Sequence, residues 1–179
     1  MQYRRIVTGH DASGQSIFLS DAAPPRTTAF QHIPGFVTSL FWETEADAVI
    51  PAPACDPAEV AKSWVPVPNG TNLIIACFPP DSVMTNREFD PIAARDEYLQ
   101  VLPGLAEKFE SDSPGMHTTD TVDYAVLLDG ELHLELDGGA MKRLAPHDVV
   151  IQNGTRHAWR NTSDKPATIL FVLVGARRT

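Results

Sequence analysis

The chain is short of cysteine, of positive charge and of long apolar runs. Its two cysteines, Cys55 in the Pro/Ala-rich PAPACDP and Cys77 inside LIIACF, form no CxxC pair. That excludes a disulfide framework and a thiolate zinc motif, and it leaves two free thiols with Cys77 expected in the core. Lys and Arg number 14 against 23 Asp and Glu, for a formal net charge of -9 and a pI near 5.0. Apart from Arg4-Arg5 and Arg177-Arg178 the basic residues are scattered, so phosphate backbones and anionic lipid find little to hold, and neither nucleic acid nor membrane is an expected partner. No apolar run approaches membrane-spanning length, and MQYRRIVTGHDASG lacks the apolar core of a signal peptide, so the expectation is a soluble, cytoplasmic protein. GxSxG, P-loop and GxGxxG patterns are missing too, which removes the sequence support for serine-hydrolase, nucleotide and dinucleotide chemistry.

What is present reads as a sheet-rich protein. The 179 residues, 43% apolar and 21% charged, suit one globular domain with a core of its own. Fifteen prolines and eleven glycines punctuate short β-branched and aromatic stretches. RRIVTG and QSIFLSD around the turn-forming HDASG predict a hairpin over residues 3 to 20, and GFVTSLFW (35 to 42) and TNLIIACF (71 to 78) are the next strands. APPRTT and VIPAPACDP read as surface loops. Asp56-Pro57, with Glu59 following, predicts a short capped helix, and Asp90-Pro91 a longer one that puts Tyr98, Leu102, Leu105 and Phe109 on one face. Pro103-Gly104 should kink or split it.

After Pro114 the period changes to two. VDYAVLLDGELHLELDGG, DVVIQNGTRHAWRN and ATILFVLVGA read as strands joined by tight turns, with Leu132, Leu134 and Leu136 on a buried face and Glu131, His133 and Glu135 on a wet one. DGG at 137 to 139 reads as a hairpin turn. Asp112, Asp120 and Asp123 lie close enough to suggest paired carboxylates, although such clusters are more often a solvated loop.

The residues around GMHTTDTVDY and QNGTRHAWRN carry a resemblance. His117 matches the first histidine of the first cupin motif, Thr119 stands where the second histidine falls, Asp123 stands at the glutamate, and Gly130 follows after six residues. Gln152 stands at the proline of the second motif, Gly154 at its glycine, His157 at its histidine and Asn161 at its asparagine, while His147 replaces the leading turn glycine. The chain thus resembles the cupin superfamily over roughly residues 113 to 175, and within it a subgroup of small single-domain proteins sharing HxTxTxDY and GTxHAWRN.

The resemblance implies an all-β fold, a cupin-type double-stranded β-helix barrel (jelly roll) with an N-terminal β extension and one or two short helices. Residues 1–179 would form one domain, 1–112 packing strands and helices on a barrel core at 113–175. A regular strand from 117 points His117, Thr119, Thr121 and Asp123 one way and Asp120 and Tyr124 the other, with His157 and Trp159 sharing a face on a later strand. His117, Asp123 and His157 would be the metal ligands, two imidazoles and a carboxylate that suit Fe, Zn, Mn or Ni. Asp123 would be the catalytic group, and Thr119, Thr121 and Trp159 would meet substrate, unless Trp159 is simply core. His10, His32, His133 and His147 stand outside the set, His133 as an exposed residue. The implied function is a metal-dependent enzyme of Lewis-acid lyase, isomerase or dehydratase type acting on a small organic molecule. The alternatives are an Fe(II)-dependent dioxygenase and a non-catalytic, metal-free binder of a small ligand. A homodimer is also implied, with first-segment strands covering sheet edges.

Overall fold

The computed structural model of the chain describes residues 3–51 and 55–179. Its elements, in chain order, are β1 (Arg5–His10), β2 (Ser16–Ala22), β3 (Arg26–Ala29), β4 (Val37–Thr44), α1 (Pro57–Val60), β5 (Thr71–Phe78), α2 (Pro91–Val101), β6 (Thr121–Asp129), β7 (Leu132–Glu135), β8 (Met141–Leu144), β9 (Val149–Asn153), β10 (Ala158–Arg160) and β11 (Ala167–Gly175).

The turn chemistry explains where strands stop. Asp11 closes the β1–β2 hairpin: its Oδ1 accepts from the Ser13 and Gln15 backbone N–H groups at 2.8 and 3.0 Å and from the Ser13 hydroxyl. Gly130 turns β6 into β7 at φ +81°, where a Cβ would lie 2.6 Å from the Pro166 carbonyl oxygen, so both backbone conformation and space demand glycine. His147 does occupy a glycine-like position, with φ +77° in the turn before β9.

A six-stranded antiparallel sheet runs β3-β4-β5-β11-β6-β9, and a three-stranded sheet runs β10-β7-β8. The two form a jelly-roll β-barrel. Alternation decides the inside: along β6, Thr121, Asp123, Ala125 and Leu127 are buried while Tyr124 and Leu128 are exposed. One core lies between the sheets, where Ala125, Leu127 and Ile169 of the large sheet meet Leu132 and Leu144 of the small one. A second core joins Leu40, Ile74 and Leu173 of the large sheet to Trp64, Ala58 of α1, Ala94 of α2 and Leu102. The helices therefore cover the part of the large sheet that the small sheet leaves bare. Burying a Leu or Ile there contributes about 1.5–3 kcal/mol each before the entropy cost of ordering it.

Several expectations change. The stretch APPRTT is not all loop, since Arg26–Ala29 pairs with β4; pairing with a neighbour supplies what weak local propensity does not. VIPAPACDP includes residues 52–54, which lie outside the described residues. Asp56 and Asp90 cap their helices as expected, Asp90 Oδ1 accepting from the Ile92 and Ala93 N–H groups at 3.0 Å each. Proline at 103 ends α2, so Leu105 and Phe109 fall outside it. Cys77 is half-buried rather than core, because its parity on β5 is opposite to that of the inward Ile74 and Ala76. On β7 only Leu132 is fully buried; Leu134 is half-buried and His133 is half-buried against the Thr162 hydroxyl, while Leu136 lies just past the strand's end and is exposed. This short strand is the middle of a narrow sheet, so its two faces differ little. No helix among the described residues is long and apolar enough to cross a membrane.

Candidate active site

His117 and His157 meet on a two-residue antiparallel bridge just outside the main ladders. Each backbone N–H donates to the other's carbonyl, at 2.9 and 3.0 Å. Their ring centroids lie 4.2 Å apart with planes tilted by 47°. Both side chains are buried, and so are Thr119, Thr121 and Asp123. The parity expected from the sequence holds: Asp120 and Tyr124 are exposed, Asp120 bonding Arg178 at 2.5 Å.

The tautomers follow from the partners. His117 Nδ1 lies 3.1 Å from the Gly115 carbonyl oxygen, and His157 Nδ1 lies 3.0 Å from that of Thr155. A carbonyl only accepts, so each Nδ1 carries the proton and each neutral imidazole presents the Nε2 lone pair. Burial, together with the charge His157 would carry, pushes His117 down to about 4. Burial also lowers His157, against the Thr155 carbonyl. Near neutral pH both rings are therefore uncharged.

Asp123 sits in the ladder, between Leu173 of β11 and Gln152 of β9. Burial pushes its carboxyl up to about 6, with the Thr121 hydroxyl opposing the rise, and its Oδ1 has no hydrogen-bond partner. A buried carboxylate oxygen without a donor is costly, and such groups concentrate at functional sites. Thr119 and Thr121 share a hydroxyl–hydroxyl bond of 2.8 Å. Trp159 packs edge-on to His157 at 5.9 Å and to Phe171 at 5.4 Å, so it links the imidazole to the core between the sheets.

Residues that no motif marks complete the surroundings. Phe109 pairs with His117 in a second isolated bridge, its ring 4.6 Å from the imidazole and 5.4 Å from Tyr98. Glu110 takes two bonds of 2.6 Å from Arg156, the neighbour of His157, so the segment after α2 is clasped over the imidazoles. Arg178 Nη2 donates to the Thr119 and Gly154 carbonyls at 3.0 Å each, tying the C-terminal residues to both site strands. The Glu110–Arg156 and Thr119–Arg178 bonds join residues 46 and 59 apart in sequence and leave no spacing signal. Asn161 turns out to brace the scaffold: its Nδ2 donates to the Phe78 and Lys165 carbonyls at 3.0 and 2.8 Å. Two surface cavities, about 410 Å³ beside Tyr3 and Arg4 and about 320 Å³ beside His32 and Phe89, lie away from this chemistry.

Two neighbouring imidazoles with both Nδ1 atoms engaged match the nitrogen half of a divalent-metal centre. The remainder does not fit: among the described residues no three His, Cys, Asp or Glu side chains are grouped to hold a metal ion. The expected set His117, Asp123 and His157 is thus only partly brought together. The two histidines share an isolated bridge, whereas Asp123 belongs to the regular ladder of β6, and the Thr119 hydroxyl is engaged with Thr121.

The fold is a jelly-roll β-barrel with paired imidazoles and a carboxylate buried along its strands. The cupin domain family matches residues 107–173. The chain is 32% identical to phomopsin biosynthesis cluster protein C' of Diaporthe leptostromiformis, over 97% of this chain and 78% of that protein. It belongs to the cupin family. It is also similar to the cupin-domain-containing oxidoreductase srdB of Neurospora crassa, at 26% identity over 95% of this chain and 72% of that protein. Among solved structures, a cupin domain of a transcriptional regulator from Enterobacter cloacae aligns with a TM-score of 0.37 at 18% identity, covering 60% of this chain and 83% of that one.

Proposed function

We propose that the chain is an enzyme performing non-redox proton-transfer chemistry, of lyase, isomerase or dehydratase type, on a small organic intermediate of biosynthesis. The observation that carries this reading is the pair of buried imidazoles with both Nδ1–H groups engaged, on the same barrel interior as a carboxylate oxygen that lacks a donor. Asp123 takes a proton from a carbon beside a substrate carbonyl and returns it to carbon or to a leaving hydroxyl. A carboxyl near 6 changes form close to working pH, which suits both steps. The Nε2 atoms accept hydrogen bonds from substrate hydroxyl or acid groups, Thr119 and Thr121 offer hydroxyls, and Trp159 supplies an apolar wall. The cluster proteins and oxidoreductases among the relatives support an enzyme.

The test is deuterium exchange. Panels of small β-hydroxy and keto acids in heavy water, followed by proton NMR, should reveal enzyme-dependent exchange beside the carbonyl that Asp123→Asn abolishes. Absence of exchange above the variant's level across the panels would remove the reading.

A second reading rests on the two imidazoles with engaged Nδ1 atoms: His117 and His157 would be nitrogen ligands of a divalent metal, which would supply Lewis-acid polarisation, or O2 chemistry if it is iron. It is checked by metal content of protein purified without chelator or affinity metal, beside His157→Ala. Equal and substoichiometric metal in both, with no selective uptake of Fe(II), Zn, Mn or Ni, would dismiss it.

We further propose that the chain forms a homodimer. Phe18, Ile6 and Leu19 on the hairpin are 76, 50 and 51% exposed, and Tyr124, Val149 and Ile151 on the outer face at the β9 edge are 47, 61 and 52% exposed. Both are exposed apolar surface of the kind that homodimer interfaces cover.

A further inference from the structure

Gln152 lies in the middle of β9, 3% exposed, directly opposite Asp123 in the ladder. Its amide does not satisfy that carboxylate. Instead Nε2 donates to the Thr155 carbonyl at 2.9 Å, and Oε1 accepts from the Thr155 hydroxyl at 2.9 Å. The Thr155 carbonyl is the same oxygen that receives His157 Nδ1–H. One acceptor therefore joins two donors, with the side chain of Gln152 on one side and the imidazole of His157 on the other. Between them the chain turns through Gly154 at φ +57°.

From this arrangement we infer that Gln152 is a positioning residue: by holding the Thr155 carbonyl and hydroxyl, it fixes the ring orientation and Nδ1–H tautomer of His157 and so leaves Nε2 as the ring's available lone pair. The inference rests on His157 being a working group of the site. A carbonyl oxygen with both lone pairs engaged by directed donors has little freedom to rotate away, and the ring that bonds to it inherits that direction. The reciprocal bond explains why Asp123 Oδ1 has no donor although an amide stands across from it: that amide is committed to the turn. His117 has a separate holder, the Gly115 carbonyl, with which Gln152 makes no bond.

This separation provides an internal control. Heteronuclear NMR of nitrogen-labelled protein at neutral pH distinguishes imidazoles protonated at Nδ1 from those protonated at Nε2. In the parent both His117 and His157 should read as single Nδ1–H tautomers. Gln152→Met keeps the length of the side chain and removes the donor and acceptor. It should convert His157 to a mixture of tautomers while His117 keeps its signature. An unchanged single tautomer at His157, or equal disturbance of both histidines, would overturn the assignment. If the methionine variant does not fold, Thr155→Val decides the matter. It removes the hydroxyl that holds Oε1 and leaves the carbonyl, so partial loss of the His157 tautomer is expected and full retention counts against the role. Neither readout requires substrate, so proton-transfer chemistry can fail while Gln152 still positions His157, and the reverse.

Discussion

His117 and His157 are joined twice, by reciprocal backbone hydrogen bonds of 2.9 and 3.0 Å and by imidazoles 4.2 Å apart. A protonated ring beside a second ring that would share its charge, both out of water, is unfavourable, so the pair stays neutral. His117 titrates at 6.5 when unfolded and at about 4 when folded. As pH falls from 6.5 toward 4 the unfolded chain binds the proton first, and stability is lost over that window. His117→Gln should flatten the acid limb of denaturant-unfolding stability between those values, by up to about 3 kcal/mol. An acid limb as steep as the parent's would contradict this.

Asp123 works in the opposite direction. Its carboxyl titrates at 3.8 unfolded and about 6 folded, so the folded chain binds the extra proton between those values, and stability falls as pH rises through them. Asp123→Asn should be more stable than the parent at pH 7, by about 3 kcal/mol at most, with the difference disappearing near pH 4. Thermal or urea unfolding at the two pH values measures it, and a variant less stable at pH 7 would mean that the carboxylate has a favourable partner.

The clasp between Glu110 and Arg156 should govern access to the imidazoles. Glu110→Gln weakens both charged bonds, and hydrogen exchange at the Glu110 and His117 amides should quicken severalfold while the β11 amides keep their protection. Uniform change across the protein would indicate general destabilisation instead.

Asn161 has a structural effect to lose. Asn161→Ala leaves the Phe78 and Lys165 carbonyls without their donor in a buried turn, and a loss of about 2–3 kcal/mol in unfolding free energy is expected.

Self-association is read by light scattering at micromolar concentration. The parent is expected as a dimer, and Phe18→Ser together with Ile151→Ser should shift it to monomer without loss of β-sheet circular dichroism. A monomeric parent, or a dimer indifferent to both changes, would refute the proposed interface.

Strand parity, turn glycines and helix caps are local, and so they were legible: the inward set His117, Thr119, Thr121 and Asp123, the turn at Gly130, and the N-caps Asp56 and Asp90 follow from spacing and residue chemistry, while the glycine-like turn at His147 followed from the family resemblance. The family resemblance added His157 as the partner of His117. Strand β3 was not legible, because Arg-Thr-Thr-Ala has no pattern of its own and becomes a strand by pairing with β4. Nor was the clasp, in which Phe109 and Glu110 reach residues 8 and 46 positions away through chain reversals.

By itself the sequence determined how side chains alternate along β6 and the residues leading into it, since a period of two needs only the neighbouring residues. The tertiary structure alone decided what those side chains meet there. It placed the imidazoles against each other, kept Asp123 in the regular ladder apart from them, and committed Gln152 to the Thr155 turn. Each of these depends on strand register across the sheet and on the loops that close it, quantities set by packing between distant segments.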